Sequence, residues 1–406
     1  MQANDLLQEA YKLEDELLSI RHYLHSHPGI GFDIEDTYQY VYNNLVAMGY
    51  APHSYGKKGL IATCGHREKG KTILLRADMD ALPIQEKTDL SFASKNGNMH
   101  ACGHDMHTTM LLGAARLLKQ HEEDLRGQVI LCFQPAEELL EGAKDMIDAG
   151  VLRDTMPDAA LMIHITANMP LETGSVIVCD GGISAPAADY FEIQIQGKGV
   201  HGAMPELGID PITAAAHIIT SLQEIHAREL SMHEEAALTI GSIRSGNAAN
   251  VIPDTALICG TMRAYDETTR ALLKTRMQEI ITHTATAFRA KATLHFTSGC
   301  PTLKNDEKLS NDILASLKDL LGSSNAFSQT ELLTHFGNAK ASKATGSEDF
   351  AYFSHEVDSL MLSITAGKIE DGYIYPLHHP KAIFDEKVLP IGSAVYAYAA
   401  ISWLQK

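Results

Sequence analysis

Three short apolar runs, separated by segments of helical periodicity, restrict this chain to few architectures. Residues 71–77 (KTILLRA), 127–133 (GQVILCF) and 158–165 (DAALMIHI) are apolar almost without interruption. Each is short for a helix and lacks the polar alternation of a half-exposed strand, so each is expected to be a strand buried on both faces. Between them, residues 103–120 place Met106, Met110, Leu111, Ala114, Leu117 and Leu118 on a helical face, and residues 141–149 form a second helix that stops at Gly150. Strands alternating with helices imply right-handed crossovers and an α/β domain with a mixed, largely parallel sheet, helices on both faces. In such sheets ligands gather at the carboxyl ends of the strands.

After about Gly182 the pattern changes. Residues 190–197 (YFEIQIQG) alternate apolar and polar side chains, residues 211–227 form a helix that opens on Pro211, and 236–244 and 255–264 read as further strands. A long helix over 267–287 and a strand over 291–297 follow. The order strand, helix, strand, strand, helix, strand describes a ferredoxin-like α+β unit. Strands and helices resume from about Cys300, including residues 359–365 (SLMLSIT) and a closing helix from about Leu389. Apolar residues also recur at helical spacing over 3–24 and 35–48. A chain of 406 residues exceeds the size at which one core keeps growing. The expected organisation is one α/β domain formed by 1–182 and 299–406, interrupted by an insert at 183–298.

Composition excludes several classes of function. Asp and Glu number 51 against 33 Lys and Arg, a formal charge of -18, which repels phosphate backbones and anionic lipid. Nucleic acid and membrane surfaces are therefore not expected partners. The six cysteines are scattered, with no paired CxxC, which favours a reducing compartment. The first residues are amphipathic and acidic rather than basic and apolar, and no apolar run reaches about eighteen residues, the length that spans a bilayer. A cytoplasmic protein is the simplest expectation. GxSxG and HExxH are absent.

The chemistry-bearing residues cluster where the sheet rule places ligands. Asp78 and Asp80 follow the first strand, Glu137 and Glu138 the second, His164 ends the third, and Cys102 and His104 lie on the loop feeding the helix between the first two. Thiolate, imidazole and carboxylate are the groups that hold a catalytic transition metal, and an unligated carboxylate beside them can move the proton of an activated water. Taken singly, each has a plainer reading: a buried thiol beside a capping histidine for Cys102 and His104, a helix cap for Glu137 and Glu138, a satisfied core histidine for His164, a polar turn for His378 and His379. His107, one turn beyond His104, reads as a partly exposed helix histidine or as support for the site, and His100 and His201 are weaker candidates. Convergence of four segments on one crevice favours the metal-dependent hydrolase.

The blocks RHYLHSHPGIGF (21–32), LLRADMDALPI (74–84), NMHACGHDMHTTMLLGAA (98–115), FQPAEE (133–138), GKGVHGAMPE (197–206), NVIPD (250–254), GSEDFAYF (346–353) and PLHHP (376–380) together resemble the M20 family of metallopeptidases and amidohydrolases. Within it the resemblance is to the hippurate hydrolases, N-acyl-amino-acid deacylases and plant auxin-conjugate hydrolases. It implies that Cys102, His104, Glu138, His164 and His378 bind two divalent metal ions, with Cys102 shared between them and Glu137 acting as general base and acid. Thiolate and imidazole ligands admit zinc, manganese, cobalt or nickel. The same resemblance implies that the insert is a lid and dimerisation domain, giving a homodimer or higher homo-oligomer. It also implies that His201 and Asn250 reach toward the reacting carbonyl or the carboxylate of the substrate, with Arg263 a further carboxylate partner. The implied activity is hydrolysis of the amide bond of a small-molecule N-acyl amino acid. A dipeptidase or carboxypeptidase of the same fold is the alternative within the family, and a metal-storage or ligand-binding module the alternative outside catalysis. Two departures stand out. Leu139, Leu140 and Glu141 follow the paired glutamates where many relatives are glycine-rich, and Arg76 stands where more distant members use a metal-binding histidine, which gives Asp78 a supporting role.

Overall fold

The strands expected from the three apolar runs are the centre of an eight-stranded sheet. In the computed structural model, which describes residues 2–336 and 344–406, they are Lys71–Asp78, Gly127–Gln134 and Ala159–Thr166. The sheet runs His53–Tyr55, Gly59–Gly65, Gly127–Gln134, Lys71–Asp78, Ala159–Thr166, Ser359–Thr365, Val176–Val178, Ala326–Ser328. The four strands from Gly127–Gln134 to Ser359–Thr365 are mutually parallel, and antiparallel pairs join them to the outer strands on each side. The central four are buried nearly throughout, as continuous apolar runs require.

The chain leaves Lys71–Asp78, adds Gly127–Gln134 on one side, and then returns to place Ala159–Thr166 on the other. Strand order therefore reverses at Lys71–Asp78, the topological switch point at which open α/β sheets bind ligands. Register shows how a crevice arises there. Lys71–Asp78 pairs with Ala159–Thr166 only from Ile73–Ala159 to Arg76–Met162, after which the two strands part. The amide of Ile163, beyond the last pair, donates instead to the Tyr396 hydroxyl (2.9 Å), which itself donates to the carbonyl of Arg76 (2.7 Å).

Tyr396 belongs to the closing helix Val388–Leu404, which is apolar and buried on almost every side, with the core rather than water around it. It packs on His104–Gln120 through glycines: a Cβ on Gly113 would lie 2.1 Å from Ser393 Oγ, and one on Gly392 would lie 1.9 Å from Met110 Sδ. Only hydrogen fits at either point.

One difference concerns the amino terminus, where a single helix over 3–24 was expected. The structure has two, Ala3–Tyr11 and Glu14–Ser26, and the acidic first turn Glu14, Asp15, Glu16 favours a new helix start at that point. No helix among the described residues is long and apolar enough to cross a membrane. All six cysteines are free.

The chain divides into two units, one formed by residues 1–184, 304–343 and 348–406, the other by 185–303 and 344–347. The second unit holds an antiparallel sheet in the order Ala236–Ser245, Thr255–Ala264, Ala187–Gln196, Lys291–Cys300, with crossovers through the helices Pro211–Glu224 and Glu267–Ala287. This is the ferredoxin-like arrangement. Both helices are capped by an aspartate one residue upstream: Asp210 accepts from the Ile212 amide (2.8 Å) and Asp266 from the Thr269 amide (2.8 Å). Their apolar faces cover one side of the sheet around Phe191, Ile193, Ile258 and Met262.

Tyr396→Phe removes the hydroxyl that bridges the parting strands and leaves a buried amide without a partner. It is expected to lower the stability of the first unit by about 1–3 kcal/mol, read as a downward shift of its urea midpoint.

Candidate metal centre

The first unit brings Cys102, His104, Glu138, His164 and His378 together at the carboxyl ends of the parting strands. The ligand atoms of Cys102, His104 and His164 lie within 4.8 Å of one another, as do those of Cys102, Glu138 and His378, and those of His104, Glu137 and Glu138. Cys102 belongs to both of the first two groups. Gly103, in the left-handed region at φ 87°, turns the chain from Cys102 into the helix that begins at His104. The His378 amide donates to the Ala101 carbonyl (2.9 Å), which ties the carboxyl-terminal loop to the cysteine loop.

Hydrogen bonds settle which atoms are free to ligate. The His164 Nδ1–H donates to the Ile165 carbonyl (2.6 Å), so Nε2 carries the lone pair, and it points at Cys102 Sγ, 3.6 Å away. Both nitrogens of buried His104 lack a hydrogen-bond partner, and so does Glu138 Oε1. His104 Nε2 stands 3.8 Å from Glu137 Oε2 and 3.9 Å from Glu138 Oε1, and His378 Nε2 stands 3.5 Å from Glu138 Oε1. Burial pushes the Cys102 thiol up to about 12 and, with the nearby charges of Asp80 and Asp78, Glu138 up to about 7. Burial, then Glu348 and Glu138, raises Glu137 well above the ordinary carboxyl range. Ligand atoms therefore converge here while both His104 nitrogens and Glu138 Oε1 go without hydrogen-bond partners, and the thiol–imidazole–carboxylate set fits divalent zinc, manganese, cobalt or nickel.

Around this set lies a buried ionic scaffold. Arg76 is fully buried and donates to Gln134 Oε1 (2.9 Å), Asp78 Oδ2 (2.7 Å) and Asp349 Oδ1 (2.9 Å), and it pairs with Glu348 Oε1 (2.9 Å). Burial opposes the charged form of Asp78, but the charges of His104 and Arg76 and the hydrogen bond from His107 hold it well below the usual carboxylate range. Asp78 also accepts from His107 Nδ1 (2.7 Å), while His107 Nε2 accepts from the Ile165 amide (2.8 Å). His107 is thus a fully buried neutral imidazole with both nitrogens committed, not the partly exposed helix histidine its sequence suggested. Burial holds it down at about 4. Asp78 supports the site through Arg76 and His107. Asp349 accepts from the Gln134 side chain (2.7 Å) and the Ala143 amide (2.9 Å), which binds the segment after the paired glutamates to the scaffold.

Other sequence candidates fall elsewhere. His100 is buried and burial lowers it to about 3, with neither ring nitrogen hydrogen-bonded. His379 stacks on Tyr375 at 4.4 Å. His201, Asn250 and Arg263 belong to the second unit. There His201 pairs with Val251, Asn250 adjoins that ladder and accepts from the Gly202 amide through its carbonyl (2.8 Å), and Arg263 donates to Ser347 (2.7 Å). Glu348 and Asp349 were given no role from sequence, since they follow no apolar run of the kind that singled out Glu137 and Glu138. Arg21, His25, Glu86 and Asp105 form a second buried network that also went unread: Asp105 accepts from Arg21 (3.1 Å) and pairs with His25 (2.8 Å), whose other nitrogen lies 3.2 Å from Glu86.

The chain belongs to Peptidase family M20/M25/M40, whose model matches residues 74–402. It is 36% identical over 398 residues to "IAA-amino acid hydrolase ILR1-like 2" of Arabidopsis thaliana, covering 97% of this chain and 86% of the relative. It is 38% identical over 381 residues to "N-acetyl-L-cysteine deacetylase" of Bacillus subtilis, covering 93% and 85%. Among solved structures it resembles the Bacillus subtilis YXEP protein, named a dinuclear metal binding peptidase from the M20 family, with TM-score 0.76, 32% identity, and 97% and 99% of the two chains covered.

Arg76→Met strands buried carboxylates without their cation. It is expected to cost about 3–5 kcal/mol in urea unfolding of the first unit, far more than the loss of a surface ion pair.

Proposed function

We propose that this protein is a metal-dependent amidohydrolase that cleaves the amide bond of N-acyl amino acids such as N-acetyl or N-benzoyl derivatives, releasing a free amino acid and a carboxylate. The observation that carries the reading is the close approach of the Cys102, His104, Glu138, His164 and His378 ligand atoms, most of them buried, with Glu137 beside them. Cys102, His104, Glu138, His164 and His378 would hold two divalent metal ions. Such ions, when bound, lower the pKa of water and polarise a carbonyl. Glu137 serves as the proton carrier. Its carboxylate accepts the proton of the attacking water as the new C–O bond forms, and returns it to the nitrogen as the C–N bond breaks.

Asp78 orients the machinery through Arg76 and His107. His201 and Asn250 donate to the reacting carbonyl or to the carboxylate of the substrate, and Arg263 is a further partner for that carboxylate. The second unit acts as a lid and dimerisation domain, and the protein works in the cytoplasm, in keeping with its free thiols. The names of the two curated relatives, each acting on an amino acid carrying an acyl group, support the substrate class. A dipeptidase or carboxypeptidase is the second reading, favoured by the family's description as peptidases. Comparing hydrolysis of N-acetyl and N-benzoyl amino acids with that of unblocked dipeptides, each metal being restored to chelated enzyme, separates the two. Turnover confined to the blocked substrates is expected.

Glu137→Gln is expected to retain metal by elemental analysis while kcat falls by a factor of about 10² to 10⁴, the worth of one proton-transfer group. Cys102→Ala is expected to lose metal in the same assay, since the thiol belongs to both ligand groups.

A further inference from the structure

Asp80 is fully buried two residues beyond the strand Lys71–Asp78, and it is not among the groups that close on a metal-sized site. Its two carboxylate oxygens are divided between consecutive backbone amides. Oδ1 accepts from the Glu137 amide at 3.0 Å and Oδ2 from the Glu138 amide at 3.2 Å. Oδ1 also stands 3.4 Å from His104 Nδ1. One side chain thus fixes the main chain of the proton carrier and of a metal ligand together.

The loop it grips is under conformational strain. Ala136 and Leu140, which bracket the two glutamates, both lie in the left-handed region at φ 56°, and neither is glycine. Each costs about 1–2 kcal/mol relative to ordinary backbone. The Leu140 amide donates to the Glu137 carbonyl (2.7 Å), closing a tight turn between them. In this turn the adjacent side chains can diverge, one toward the ligand set and the other alongside it. Charge-assisted bonds to both amides oppose relaxation of the strained turn.

We propose that Asp80 is a positioning residue, whose carboxylate sets the main-chain geometry of Glu137 and Glu138 so that one presents to the metals while the other stays free to carry the proton. The inference rests on the roles given to those two glutamates above. Asparagine is the decisive replacement, because its amide group keeps the size of the carboxylate but offers one acceptor where two amides need one each.

The test uses the full-length chain, and its first readout is independent of turnover. Hydrogen–deuterium exchange in chelated protein is expected to speed up over residues 134–142 in Asp80→Asn, with other segments unchanged. Zinc affinity by chelator competition should weaken about 10- to 100-fold, as for other residues that orient ligands. In the metal-loaded enzyme kcat should fall about a hundredfold, the cost of an error of about 1 Å in placement, with KM little changed. Asp80→Asn combined with Glu137→Gln should be no slower than Glu137→Gln alone, since the two act as a unit. If Asp80→Asn does not fold, Asp80→Glu keeps the charge and displaces the oxygens, and the same losses are expected. Native exchange and native kcat in a folded Asp80 variant, or losses that multiply with those of Glu137→Gln, would overturn the proposal. Failure of the wild-type enzyme on N-acyl amino acids, or full activity in Glu137→Gln, would instead overturn the underlying assignment.

Discussion

The parting of two parallel strands after Arg76 and Met162 is the constraint on which the rest depends. Sheets gain by continuing to pair, and a pair that closed here would run main chain through the space where side chains now meet. What keeps the strands apart is the satisfaction of the amides they expose. Ile163 donates to Tyr396 and Ile165 donates to His107, so the open edge carries no unpaired donor at either position. His107 in turn fixes Asp78, and Asp78 fixes Arg76. The opening and the ionic scaffold beneath it are therefore one construction.

That scaffold sorts its acids by partner. Asp78 and Asp349 are held by Arg76, and Asp80 by two amides. Glu138 keeps an oxygen with no hydrogen-bond partner, and His104 keeps two nitrogens in the same condition. Burial of such groups destabilises a fold unless a cation joins them. The arrangement sacrifices stability where ligands are needed and recovers it one layer deeper, a division of labour common at sites that bind metals.

Much of this was legible in the sequence because two independent periodic signals agreed. Continuous apolar runs marked the central strands, and alternation marked the sheet of the second unit. The candidate ligand residues that the structure brings together could be picked out because thiol, imidazole and carboxylate are costly in apolar surroundings and so stand out at strand ends. Arg76, His107 and Asp80 were harder. Arg76 lies inside an apolar run and finds its partners Glu348 and Asp349 more than two hundred residues away, a distance at which spacing carries no information. His107 lies on the apolar helical face of Met110, Leu111, Ala114 and Leu118, and it was its polarity that suggested exposure; the gap between strands explains what the buried ring bonds to there. The break between Ala3–Tyr11 and Glu14–Ser26 was missed because its signal, three acids in succession, also suits a solvated helix face.

The first unit is assembled from three separate stretches of chain. Ser359–Thr365 extends the sheet beside Ala159–Thr166, and the hydroxyl at the strand fork comes from Tyr396 on a helix that ends at Leu404. During synthesis on the ribosome, the strands bearing most of the ligands emerge long before the residues that complete their sheet. His378 and the Tyr396 bridge arrive later still. The candidate metal pocket is consequently a late product of translation, assembled only after the intervening ferredoxin-like segment has left the exit tunnel, and a nascent chain has no means of forming it early.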